Sequence, residues 1–73
     1  METGTVSWFM DQKGYGYITP DNGGSAVFVH YTGIKKDSDG LRTLTKGNRV
    51  RYEISNDSRG ERASGVERIK SGR

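Results

Sequence analysis

KGYGYITPDNGGSAVFVHY, the run from Lys13 to Tyr31, decides the fold. Two short apolar and aromatic segments flank Pro20-Asp21-Asn22-Gly23-Gly24. That quintet supplies a fixed φ, an Asx side chain and glycines tolerant of positive φ, the chemistry of a tight chain reversal. The reading is a β-hairpin with strands over Tyr15–Thr19 and Ala26–Tyr31. Successive side chains of a strand point to opposite faces, so Val27 and Val29 share one side while Phe28 and His30 share the other. The valines are the core side, because a buried His30 would need partners for its ring nitrogens. The same parity turns Gly16 and Ile18 inward and Tyr15 and Tyr17 outward. Four rings therefore line one solvent face, spaced to stack flat ligands. Bare backbone at Gly14 and Gly16 leaves room for a base to lie flat, or for the sheet to bend sharply.

Working outward, Thr3–Met10 is rich in β-branched and aromatic residues and reads as a first strand, ended by Asp11, Gln12 and Gly14. Asn48–Ser55 alternates strictly, with Val50, Tyr52 and Ile54 on the inner face and Arg49, Arg51 and Glu53 on the outer. A turn at Asn56-Asp57-Ser58-Arg59-Gly60 leads to a last strand from Glu61 to about Ile69, holding Ala63, Gly65, Val66 and Ile69. Between the third and fourth strands, Thr32–Gly47 reads as a long polar loop that Ile34, Leu41 and Leu44 could pin to the body, with room for one helical turn near 32–35. Residues 70–73 read as a frayed basic tail. Five short strands without any sustained helical period predict an all-β chain, one domain over 1–73, closed into a barrel.

Composition narrows the function. With 73 residues and no cysteine, neither a disulfide framework nor a thiolate metal site can brace the fold. His30 is the only histidine, so a metal site is not expected, and no cofactor is implied. No run is long and apolar enough for a membrane span and no signal-peptide pattern opens the chain, so a cytoplasmic protein is the expectation. No nucleophile triad motif is present, and Asp37 with Asp39 reads as loop solvation, so an enzyme is not expected. Charge is unevenly spread. Residues 1–30 hold one cation, Lys13, against Glu2, Asp11 and Asp21, while residues 31–73 hold 11 Lys and Arg against 6 acids. A modest positive charge suits a polyanion but equally suits solubility.

Taken with these residues, the chain resembles the bacterial cold-shock proteins and the related cold-shock domain of eukaryotic Y-box proteins. The likeness runs from Gly4 to about Val66. It rests on Gly4-Thr5-Val6 with Trp8-Phe9, on Lys13-Gly14-Tyr15-Gly16-Tyr17-Ile18 and on Val27-Phe28-Val29-His30-Tyr31. RNA-recognition motif domains share a similar basic-Gly-aromatic-Gly-aromatic pattern, but they need two amphipathic helices that this chain lacks. The resemblance implies a five-stranded antiparallel Greek-key barrel of the OB type that binds single-stranded RNA and DNA with low sequence specificity on the outer face of strands one to three, an RNA chaperone that binds duplexes poorly and acts as a monomer. It carries binding roles onto Trp8, Lys13, Tyr15, Tyr17, Phe28, His30 and Tyr31, with Arg59 as a phosphate contact. Parity alone had nominated Tyr15, Tyr17, Phe28 and His30. Trp8 shares parity with Val6, which on a flat strand would bury it; only the resemblance, or a bend in the strand, exposes it.

Four positions depart from the family pattern. Ser7 stands where a Lys is usual, Met10 where an Asn is usual, Leu41 in a region that often presents a Phe, and Glu61 where a Pro is usual. With Lys13 nearly alone beside the rings, stacking is expected to outweigh charge. The rival reading is a small β-barrel that uses the same aromatic face to dock a protein.

Overall fold

The computed structural model describes residues 1–36, 42–58 and 60–69. The expected Leu41 pin, the Arg59 contact and the basic tail at 70–73 lie outside them. Five strands form, β1 (Glu2–Met10), β2 (Tyr15–Pro20), β3 (Val27–His30), β4 (Arg49–Asp57) and β5 (Gly60–Arg68). They close into a barrel in the order β1-β2-β3-β5-β4. Four of the five contacts are antiparallel; the one that seals the barrel, β3 against β5, is parallel and brings Phe28 opposite Arg62 and Val29 opposite Ala63.

The central hairpin forms as its turn chemistry dictates. Gly23 N–H donates to the Pro20 carbonyl across the reversal, and the Asn22 side-chain oxygen accepts from Gly24 N–H at 2.8 Å. Its registry pairs Tyr15 with His30, Gly16 with Val29, Tyr17 with Phe28 and Ile18 with Val27. Strand β3 is shorter than the sequence suggests, because the chain leaves it at Tyr31 for one 3-10 turn, Tyr31–Gly33. The His30 ring caps that turn by accepting from Thr32 N–H.

The interior holds Val6, Ile18, Val27, Val29, Ile34, Leu44, Val50, Tyr52, Ala63 and Val66, with Phe9 packed against them. Each buried Val, Ile or Leu contributes roughly 1.5–3 kcal/mol. Strands β2, β3 and β4 supply to this list the residues that parity predicts, Ile18, Val27, Val29, Val50 and Tyr52, and Ile34 and Leu44 pin the long connection as expected. Ile34 bridges to Val66, and Lys35 N–H donates to the Val66 carbonyl. Ile54 is the exception, at 36% exposure. It keeps the inner parity of Tyr52, but β1 ends at the pair Glu2–Tyr52, so Ile54 lies past the end of the wall that would cover it.

Strand β1 serves both halves of the barrel and must bend to do so. Up to Val6 it bonds toward the β4 side, where Val6 N–H donates to the Asn48 carbonyl and Gly47 N–H to the Val6 carbonyl. Its pairing with β2 then slips: Val6 faces Ile18, but Trp8 faces Tyr17. Two steps along β1 thus match one along β2, a bulge centred on Ser7.

Candidate nucleic-acid interface

The Ser7 bulge is what puts Trp8 outside. An extra residue reverses the parity of everything after it, so Val6 is buried while Trp8 is 38% exposed. The Ser7 hydroxyl shares a 2.6 Å hydrogen bond with that of Thr19 on β2, tying the bulge to its neighbour.

Beyond the bulge, the outer faces of β1, β2 and β3 carry a continuous aromatic surface. Trp8 lies 6.0 Å from Tyr15 and 5.4 Å from Tyr17 between ring centroids. Phe28 lies 5.9 Å from Tyr15 and 5.8 Å from Tyr17. The contacts are edge-on or tilted, with interplanar angles of 70°, 51°, 33° and 74°. No ring lies flat on another, so a flat ligand can stack on the platform without first parting a stacked pair.

Two grooves flank this surface. One, of about 510 Å³, is lined by Tyr17, Phe28, His30 and Thr32 together with Gly60, Glu61 and Arg62. The other, of about 360 Å³, runs past Phe9, Asp11, Gln12, Lys13, Gly14, Tyr31, Arg42 and Thr43. Tyr31 stands over Gly14, where a Cβ would come within 2.7 Å of the tyrosine ring, and its ring centroid lies 4.7 Å from that of His30. The Thr43 hydroxyl donates to the Asp11 carboxylate, holding the long connection against the β1–β2 turn. His30 Nδ1 accepts the Thr32 N–H at 3.3 Å, so the proton of the neutral ring sits on Nε2.

The structure therefore gathers Trp8, Tyr15, Tyr17, Phe28 and His30 on one face and sets Tyr31 and Lys13 at its edge. Arg59 lies outside the described residues. Three neighbours of this face escaped the sequence reading. Met10, 43% exposed, is paired with Tyr15. Arg42 shares the second groove with Lys13. Arg62 places its guanidinium carbon 5.8 Å from the Phe28 ring centroid, a cation–π contact. Parity could have turned Arg62 outward, opposite in sense to Ala63, but only the parallel β3–β5 pairing sets it beside Phe28. Lys13, nearly alone beside the rings in sequence, thus has two cations near it in the fold, Arg42 in its own groove and Arg62 at Phe28.

Other cations are held elsewhere. Arg49 grips Asp21 through two hydrogen bonds of 2.8 and 2.6 Å. Arg51 meets Glu67 at 2.7 Å and Lys35 meets it at 3.2 Å. The Arg49 hydrogen bonds, helped by the Thr3 hydroxyl, hold the Asp21 carboxyl at about 2 against an ordinary 3.8. The Arg51 and Lys35 hydrogen bonds likewise lower the pKa of Glu67. Among the described residues no group of three or more His, Cys, Asp or Glu could hold a metal ion. No helix among them is long and apolar enough to cross a membrane.

Comparison with known proteins agrees with this geometry. The chain is 46% identical over 69 residues to the cold shock-like protein CspA of Stigmatella aurantiaca, covering 94% of this chain and 98% of the relative. It is 45% identical over 64 residues to the cold shock protein CspV of Vibrio cholerae, covering 88% and 89%. With the cold shock-like protein CspE of Escherichia coli it shares 44% over 63 residues, covering 86% and 88%. The profile of the 'Cold-shock' DNA-binding domain matches residues 2–69. An aromatic platform on a closed five-stranded barrel, matched over nearly all its length, places the chain in the cold-shock domain family of nucleic-acid-binding proteins.

Proposed function

We propose that this protein binds single-stranded RNA and DNA by stacking their bases on the Trp8, Tyr15, Tyr17, Phe28 and His30 face, and acts as a cytoplasmic, monomeric RNA chaperone. The observation that carries this reading is the cluster of four rings on the outer face of the barrel, with centroids 5.4 to 6.0 Å apart and no pair stacked in parallel. Base stacking on an aromatic side chain contributes roughly 1–3 kcal/mol per base and tolerates any sequence, because every base has a π face. Duplexes bind poorly, since their bases already cover one another. Trapping unpaired strands opposes secondary structure passively, and the sequence carries no nucleotide-hydrolysis motif that would drive melting actively.

Titration of a pyrimidine-rich hexamer against wild type, Phe28→Ala and Tyr15→Ala tests this, with Trp8 fluorescence as the readout. Wild type is expected to bind with quenching, and each variant to lose about 1–3 kcal/mol of affinity while keeping its circular dichroism. Unchanged affinity in two folded variants would remove the platform. A hexamer that produced no saturable change in wild type would favour a protein-docking role for this face.

A further inference from the structure

The groove between Phe28 and β5 bears a reading site for one base. Arg62 enters it directly opposite Phe28. We infer that Arg62 is a specificity-determining residue, one that recognises guanine in the nucleotide stacked on Phe28; this rests on the single-strand binding proposed above and adds one discriminating position to an otherwise sequence-tolerant surface.

Position, charge and shape support this. A base laid on the Phe28 ring projects its edge past the rim of that ring. The Arg62 guanidinium lies over that ring, 5.8 Å from its centroid, close enough to meet the edge of a base that takes its place on the ring. Phosphates, at the far end of the same nucleotide, lie toward the margin of the platform, where Lys13 and Arg42 line the other groove. Glu61 lines the Arg62 groove as well, so a phosphate drawn there would meet a carboxylate. A guanidinium carries paired N–H donors in one plane, and the base edge offering two adjacent acceptors to match is that of guanine, O6 with N7. Guanine also presents N1–H and N2–H donors beside O6, which a nearby carboxylate tolerates and an adenine or uracil edge duplicates only in part.

The test compares a uridine heptamer with heptamers carrying one guanine, adenine or cytosine at each position in turn, at one fixed salt concentration. Wild type is expected to favour guanine at one position by about tenfold. Arg62→Gln is expected to abolish that preference while changing affinity for the uridine heptamer less than about threefold. Arg62→Lys, which keeps the charge but not the paired donors, is expected to abolish it too. Unfolding temperature and Trp8 emission report whether each variant keeps the barrel. A uniform loss across all sequences in Arg62→Gln that Arg62→Lys restores would make Arg62 a phosphate contact and overturn the inference. So would a wild type indifferent to guanine at every position. Failure of the uridine heptamer to bind at all would instead remove the single-strand reading on which the inference stands.

Discussion

A methyl group on Gly16 would lie 2.1 Å from the Trp8 carbonyl oxygen and 2.7 Å from the Phe9 Cα. Gly16 therefore serves the close approach of β1 to β2 just past the bulge. Two uses are read in the sequence for this glycine, a resting place for a base or a tight bend; the structure shows a third, room for the neighbouring strand. Gly16→Ala is expected to destabilise the barrel by about 2–4 kcal/mol in urea denaturation. Tyr52 gives the opposite expectation. Its ring is fully buried, yet its hydroxyl has no hydrogen-bond partner, and burial, reinforced by the charges of Glu2 and Asp21, raises its pKa. Tyr52→Phe removes an unsatisfied donor and is expected to leave stability unchanged or raise it by up to about 1 kcal/mol. It should also relieve alkaline unfolding: above pH 10 the unfolded phenol ionises while the folded one resists. Trp8 marks the limit of residue-level reading. Period-two parity places it inside, and only the extra residue at Ser7, which no alternation pattern announces, turns it out.

Among the elements, the β2–β3 hairpin was the most legible, since Pro20 to Gly24 supplies a turn from residue chemistry alone and three core residues, Ile18, Val27 and Val29, confirm the register on either side. The β4 strand was legible up to Tyr52 and misleading at Ile54, because alternation describes a strand and not the length of its neighbour. Elements far apart in sequence are joined by the Asp21 cluster, where the β2–β3 turn meets the start of β1 through Thr3 and β4 through Arg49. Its pH dependence has a definite sign. A carboxyl whose folded pKa is depressed stabilises the fold fully above its unfolded value of 3.8, and that stabilisation is lost as pH falls to about 2. Glu67, also depressed, acts in the same direction. The unfolding temperature is expected to fall from pH 5 to pH 2 and to fall less steeply in Asp21→Asn. Equal slopes would show that the cluster is spectator to acid unfolding.

For the whole molecule, the charge asymmetry between the halves of the sequence does not survive folding. Barrel closure carries Arg62, and the pinned connection carries Arg42, to the borders of an aromatic face whose own segment holds only Lys13. No pattern in the sequence shows that β3 and β5 run side by side in parallel, so this redistribution was the least legible feature. Binding should still be only moderately sensitive to salt. With Lys13 and Arg42 each neutralising one phosphate, the slope of log affinity on log salt is expected to be about −1.4 for single strands. A steeper measured slope would show that further cations, Arg62 among them, engage the backbone. The parallel seam has one more consequence, in time. During synthesis the rings leave the ribosome first and β5 last, so a growing chain carries an isolated hairpin, marginal in water, whose apolar faces nothing yet backs. The newborn hairpin thus passes through a stage at which it needs shelter itself, and the proposed binding face gains its border at Arg62 only once β5 has been made and docked.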